Sequence, residues 1–141
     1  MTDPEQVLAS VDIFADFPHE FVVRCAKVAG VRSYASGEIA IRQDDPATAF
    51  YVVTRGCLEV LRADAGGTET VVATLDPGRF FGEMALLRDG TRVATVRACE
   101  DAECLVLEKA DFDAELRKDP NSAAVMATRL ARRINMLSRG A

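Results

Sequence analysis

Gly82, Glu83 and Arg92 are the residues of this chain whose types and spacing could do chemistry together. They lie in the stretch Phe80-Phe81-Gly82-Glu83-Met84-Ala85-Leu86-Leu87-Arg88-Asp89-Gly90-Thr91-Arg92-Val93-Ala94-Thr95-Val96-Arg97-Ala98. Glu83 to Leu87 is one turn of good helix material, ended by Asp89-Gly90. A lone helical turn is costly, because nucleation fixes several dihedrals for one hydrogen bond, so an isolated turn implies a use. Its N-terminus presents unpaired backbone N–H groups, and glycine at position 82 lets that backbone approach a ligand closely. Such an end takes anions, phosphates above all. Arg92, expected where the chain re-enters a strand, can add a charged fork for phosphate oxygens. Ionised Glu83 only accepts hydrogen bonds, which suits a sugar hydroxyl rather than a phosphate. The chemistry described is a phosphate beside a ribose.

The elements that must position these residues read as short strands. Strand-like runs recur at Val31–Tyr34, Glu38–Arg42, Phe50–Thr54, Cys57–Arg62, Thr70–Leu75, Arg92–Ala98 and Cys104–Glu108. Turn signals separate them: Ser36-Gly37, Asp44-Asp45-Pro46, Arg55-Gly56, Gly66-Gly67, Asp76-Pro77-Gly78 and Asp89-Gly90. Short strands at such intervals predict a sandwich or jelly roll. No helix-length segments lie between them, which excludes TIM and Rossmann architectures.

Helices are expected at both ends. Val7, Leu8 and Val11 form one apolar stripe, and Phe21, Val22, Cys25 and Val28 form another at helical spacing. Ile13-Phe14-Ala15-Asp16-Phe17-Pro18 between them reads as a turn, with Pro18 at the first position of the second helix and His19 in its first turn. Beyond the strands, Asp111 is expected to cap a short helix through Leu116. Pro120 and Asn121-Ser122 then start another helix, whose stripe is Ala123, Met126, Leu130, Ile134 and Leu137. The expected organisation is one domain over 1–141. N-terminal helices occupy 1–30, a β jelly roll occupies 31–108, and C-terminal helices occupy 109–141.

The segment Gly82-Glu83-x-Ala85-Leu86-Leu87 followed by Arg92-x-Ala94-Thr95-Val96 resembles the phosphate-binding cassette of cyclic nucleotide-binding domains. Glu83 and Arg92 stand nine apart, as in regulatory subunits of the cAMP-dependent protein kinase. Gly37-Glu38, Asp44-Asp45, the Gly56 turn and Pro77-Gly78 fall where that family's jelly-roll turns fall, and the resemblance covers residues 5–137. It implies an antiparallel β jelly roll with N-terminal helices, a C-terminal helical lid and a cassette at 81–96. It also implies roles: Glu83 accepts from the ribose 2′-OH and Arg92 pairs with the exocyclic phosphate oxygens. The backbone amides of Gly82, Ala85 and Val93 donate to the cyclic phosphate, and Met84 lines the cassette. The helix from about Asn121 covers the purine, with Arg129, Arg132 and Arg133 as candidates for the base contact. Val93 departs from the hydroxyl found at this position in cGMP-selective members, which tilts the expectation to cAMP, with cGMP the other ligand.

Composition bounds the rest. The chain has 141 residues, 49% hydrophobic and 28% charged, as in an ordinary globule. Residues 120–141 hold Arg129, Arg132, Arg133 and Arg139 and no acid, leaving 13 basic and 22 acidic residues, a net −9, in residues 1–119. An acidic body repels phosphodiester backbones, so direct nucleic-acid binding is not expected. No run approaches the ~20 apolar residues of a membrane span, and Met-Thr-Asp-Pro-Glu is no signal peptide, so a cytoplasmic location without membrane association is expected. Cys25, Cys57, Cys99 and Cys104 contain no C-x-x-C, and His19 is the single histidine, so no metal and no cofactor is expected; the cysteines read as reduced, partly buried fillers, Cys57 and Cys99 in strand-like alternations. With no Ser-His-Asp set or Walker loop, no enzyme activity is expected. The single histidine likewise excludes a cupin-type metal site and disfavours a haem sensor. The reading is a non-catalytic, cAMP-preferring sensor signalling through its last helix, which could also be a dimer seam or the contact to an effector domain. Two alternatives stay open. One is the sensor portion of a regulator resembling catabolite activator protein, the chain stopping at Ala141 about where a DNA-binding domain would begin. The other is a degenerate interaction or dimerisation module that no longer binds nucleotide.

Overall fold

The computed structural model describes residues 3–11, 14–87, 90–128 and 132, the side chains of Met84 and Leu87 excepted. Asp3 opens helix α1 (Pro4–Ala9) by accepting from the Glu5 N–H, with Pro4 supplying the pre-set φ of a first turn. Helix α2 (His19–Val28) starts one residue later than expected. Pro18 is its N-cap, ψ 145°, and its carbonyl accepts from the Phe21 and Val22 N–H groups. Phe21, Val22 and Cys25 are buried along α2, whereas Val28 at its end is exposed. His19 sits on the surface with Nε2 3.2 Å from Glu5 Oε1.

Eight strands follow: β1 (Gly30–Tyr34), β2 (Ile39–Ile41), β3 (Ala49–Arg55), β4 (Leu58–Ala63), β5 (Glu69–Leu75), β6 (Phe80–Phe81), β7 (Thr95–Ala98) and β8 (Ala102–Glu108). They form two four-stranded sheets, ordered β1-β8-β3-β6 and β2-β7-β4-β5, with every pairing antiparallel. This is an antiparallel β jelly roll with flanking helices. Two expectations about strands are corrected. Phe80–Phe81 is a strand, paired Tyr51↔Phe81 and Val52↔Phe80, too short to register as an alternation. The run Arg92–Ala98 is strand only from Thr95, because Arg92 bonds the 44–47 loop instead of a ladder.

A single turn, α3 (Met84–Leu87), follows β6, and β8 runs directly into α4 (Lys109–Arg117). Asp111 does not cap α4. The cap position is Glu108, without a side-chain bond, and the Lys109 N–H is satisfied by the Thr48 carbonyl. Residues 120–128 are helical and form α5. Its cap is Asp119, whose Oδ1 accepts from the Asn121 and Ser122 N–H groups and whose Oδ2 accepts from the Ser122 hydroxyl at 3.0 Å. Those bonds, the Ser122 hydroxyl first, hold the Asp119 carboxyl below its ordinary pKa. Met126 of the expected stripe is buried but Ala123 is exposed. Ile13, Asp89, Arg129, Leu130, Arg133, Ile134, Leu137 and Arg139 lie outside the described residues. Arg132 is exposed, its Nη1 3.9 Å from Asp16 Oδ2.

Two apolar clusters hold the fold. One lies between the helices and the first sheet and contains Leu8, Phe14, Phe17, Phe21, Phe50, Leu86, Phe112 and Met126. The other lies between the sheets and contains Tyr34, Ala49, Tyr51, Val53, Phe81, Val96, Ala98, Ala102 and Val106. Cys25 and Cys104 are buried fillers as expected, one in each cluster. Cys57 is half-buried, within the expectation, but Cys99 is exposed; both lie just outside a strand rather than in one, and their sulfurs meet. Among the described residues, no helix is long and apolar enough to cross a membrane.

Candidate functional site

The cassette is built from backbone outward. Phe81 ends β6 and Gly82 follows with φ +78°, a left-handed conformation that glycine adopts without cost. A Cβ on Gly82 would stand 2.7 Å from Arg92 Nη1 and 2.9 Å from the Ala49 carbonyl oxygen, so glycine is also required by space. Inside the turn the Ala85 N–H donates to the Gly82 carbonyl and the Leu86 N–H to the Glu83 carbonyl, both at 3.0 Å. Ala85 and Leu86 are buried and Glu83 is half-buried. The side chain of Met84, expected to line the cassette, falls outside the description.

Arg92 is held by a loop rather than a strand. Its N–H donates to the Asp45 carbonyl and its carbonyl accepts from the Asp44 N–H, both at 2.8 Å. The Ala47 N–H donates to the Gly90 carbonyl, and Pro46 bridges Thr91, so segments 44–47 and 90–92 are laced together. Asp44 itself has φ +74°, a conformation that Asp tolerates better than most residues.

The lacing turns the Arg92 side chain inward, and only 6% of the residue is exposed. Nη2 donates to the Ala49 carbonyl at 2.7 Å, and the guanidinium carbon lies 5.7 Å from the centre of the Tyr51 ring. Tyr51 in turn stacks on Phe81, with centroids 4.7 Å apart and planes 2° from parallel. Arg92 Nε is buried with no hydrogen-bond partner. Burial lowers the Arg92 pKa, while Tyr51 and, more weakly, Glu108 and then Glu83 act to raise it. A guanidinium does not lose its proton in a protein, so the result is a buried cation with a donor still unspent. Such a group stands high in free energy until an anion meets it.

A cavity of about 230 Å³ adjoins this cation. It is lined by Ile39, Ala40 and Ile41 of β2, by Arg42, Asp45, Pro46 and Thr48 of the following loop, and by Tyr51 and Arg92. Of the expected site residues, the fold thus brings Gly82 against Arg92 and places Glu83 within electrostatic reach of it. Ala85 is adjacent in the same turn, with its N–H already used by Gly82. Of these residues Arg92 lines the cavity, whereas Gly82, Glu83, Ala85 and Val93 lie outside its lining, and Val93 is 72% exposed. Tyr51, the Ala49 carbonyl and β2 were not foreseen. Tyr51 reads only as one member of an apolar run, a carbonyl leaves no trace in a side-chain pattern, and nothing local to β2 says what it faces.

An anion-seeking arginine beside a glycine-led turn, inside a jelly roll, has clear relatives. A cyclic AMP receptor protein from Thermus thermophilus is 41% identical over 103 residues, which is 73% of this chain and 48% of that protein. A cAMP-dependent protein kinase regulatory subunit from Blastocladiella emersonii is 42% identical over 80 residues, 57% of this chain and 20% of that one. The chain therefore spans about half or less of the curated relatives it matches. Among solved structures, the N-terminal domain of a transcriptional regulator from Streptomyces coelicolor superposes with a TM-score of 0.81 at 27% identity, covering 93% of this chain and 94% of that one. Residues 31–119 match the model of the cyclic nucleotide-binding domain, and the chain belongs to that family.

Proposed function

We propose that this chain is a non-catalytic sensor that binds cAMP in the space beside Arg92. The observation that carries the reading is the buried guanidinium with its unpartnered Nε, set against Gly82 and opening on the 230 Å³ cavity. A cyclic phosphate brings an anion to the unspent donor, and a bidentate charged contact takes over from the neutral bond to the Ala49 carbonyl. Glu83 then accepts from the ribose 2′-OH. The amides of Gly82 and Val93 donate to the phosphate, and the Ala85 amide joins them if ligand breaks its bond to Gly82. The two relatives named above carry cAMP in their own names, which supports the choice of nucleotide.

The output runs through Leu86. This residue belongs to the cassette turn and yet is buried in the helical cluster with Phe14, Phe112 and Met126. Ligand that draws α3 toward Arg92 must move Leu86, and a close-packed cluster answers by shifting the helices that share it. Met126 ties α5 into the same cluster, so the last helix is the element that carries the signal to an effector domain or a second copy. The acidic body argues against a direct contact with nucleic acid, and a cytoplasmic location fits a cAMP ligand. Calorimetric titration of the purified chain with cAMP and with cGMP tests the reading. Saturable heat with cAMP, and a melting point raised by the ~2.7 kcal/mol of added unfolding stability at 100 Kd, is the expected result. A folded sample that takes up neither nucleotide at millimolar concentration overturns it.

A further inference from the structure

Cys57 and Cys99 lie 42 residues apart in sequence, and their sulfurs are 2.8 Å apart in the fold. The approach follows from the ladder. Leu58 is paired with Ala98 in the β4–β7 register, so Cys57 and Cys99 are the next opposed pair outward, and the Cys99 N–H donates to the Cys57 carbonyl at 3.1 Å. Directly opposed residues of an antiparallel pair have Cα atoms ~4.5 or ~5.5 Å apart. Both values fall inside the ~4.4–6.8 Å range that a disulfide bridges, and the present sulfur separation is under an ångström longer than the ~2.05 Å of a formed bond. The turn before Cys57 is fixed as well. Gly56 has φ +80°, and a Cβ there would collide with the Asp101 carbonyl, so the β3–β4 turn is pressed against the loop that carries Cys99.

We infer that Cys57 and Cys99 form a reversible intramolecular disulfide by exchange with a low-molecular-weight disulfide, locking the β4–β7 end of the barrel. Cys99 is the exposed partner and Cys57 the half-buried one, which assigns the order of events. The Cys99 thiolate attacks one sulfur of the small disulfide and forms a mixed disulfide, and the first small thiol leaves and takes a proton. Cys57, its proton lost to solvent, attacks the Cys99 sulfur, and the second small thiol leaves. Two protein thiols are oxidised by two electrons and one small disulfide is reduced to two thiols. In the dithiol the hydrogen bond with Cys99, then burial, with the Cys99 charge, Asp76 and Glu100 adding, push the Cys57 thiol up to about 12, which leaves the first attack to the exposed Cys99. Cys25 and Cys104 are buried in the two clusters and take no part.

The test uses the whole chain and oxidised glutathione as the probe. After incubation and removal of the probe, the wild-type mass is expected to fall by about 2 Da, the two thiol hydrogens. A non-reducing digest should contain one linked pair of peptides, joined at Cys57 and Cys99. The melting point should rise on the order of 10 °C, since the bond closes a long loop, and dithiothreitol should reverse both changes. Cys57→Ser should instead retain a glutathione adduct on Cys99. A wild-type map with no Cys57–Cys99 link, with a persistent glutathione adduct, or with links through Cys25, Cys104 or a second chain overturns the inference. That decision rests on the wild-type map and requires no variant to fold.

Discussion

The two apolar clusters of this molecule are built differently, and the difference separates what holds the fold from what it is for. The helical cluster is filled with aromatic rings. Phe14, Phe17, Phe21, Phe50 and Phe112 meet at centroid distances from 4.8 to 6.3 Å, and three of those contacts are edge-to-face. The cluster between the sheets mixes alanine and valine with Tyr34, Tyr51, Phe81, Leu58 and Leu75, and beside Tyr51 stands a buried arginine with a donor unspent. Large residues in the first place close the space between helices and sheet. Beside the second, β2, the loop after it, Tyr51 and Arg92 enclose a cavity of about 230 Å³. A protein optimised for stability alone would have filled that space.

The largest way to break this comparison is Phe112→Ala. Phe112 has no exposed surface and touches Phe14, Phe17 and Phe21 by edge-to-face contacts. Truncation should cost about 4 kcal/mol in a denaturant melt, while molecules that remain folded should still bind cAMP. Equal loss of affinity in the folded fraction would mean that the clusters are not separable. Arg92→Ala reverses the pattern. Removing a bidentate charged contact to phosphate should weaken cAMP by about 3 kcal/mol, some 150-fold, measured by calorimetry. Stability should change far less, because the variant also relieves a buried cation, though it leaves the Ala49 carbonyl without that donor. Glu83→Ala removes one charge-assisted contact to a hydroxyl and should cost about 1.5 kcal/mol, roughly 10-fold, in the same titration. Losses of equal size for Arg92 and Glu83 would point to a different ligand pose.

The same contrast explains how much of the molecule is legible in its sequence. The strands β1, β3, β4, β5 and β8 announce themselves as runs of β-favouring residues between turn residues, both local signals. Gly82, Glu83 and Arg92 were legible for a similar reason, since a cassette of contiguous residues carries its geometry in its own spacing. Arg92 was nevertheless placed in a strand, because Arg92-Val93-Ala94 alternates as a strand would and only the distant Asp44 and Asp45 hold it otherwise. Tyr51 and β2 line the cavity beside Arg92 through the sheet order, which no local pattern encodes. The Cys57–Cys99 approach has the same origin. It requires β4 beside β7 in one register, and a sequence read along its length sees only two isolated cysteines.

The smallest expected effect concerns the choice between nucleotides, and it sharpens the comparison at the outer edge of the cassette. Both cyclic nucleotides share the phosphate and ribose that Arg92 and Glu83 would hold, so those contacts bind them alike and discrimination has to come from the purine edge. Guanine carries an amino donor there, and a hydroxyl at position 93 could accept from it where a valine methyl cannot. Val93 is 72% exposed and does not line the cavity, so a donor in its neighbourhood keeps much of its water. The full penalty of a buried unpaired donor therefore does not apply, and the gain from a new hydrogen bond in such a place is about 0.5–1 kcal/mol. Val93→Thr keeps the branched shape and adds only the hydroxyl. It should raise cGMP affinity relative to cAMP by roughly 2–5-fold in parallel calorimetric titrations, with the melting point of the free chain nearly unchanged. A ratio that stays fixed, or that moves toward cAMP, removes Val93 as the selector and turns attention to the β2 side of the cavity, where Ile39, Ala40 and Ile41 would meet the base.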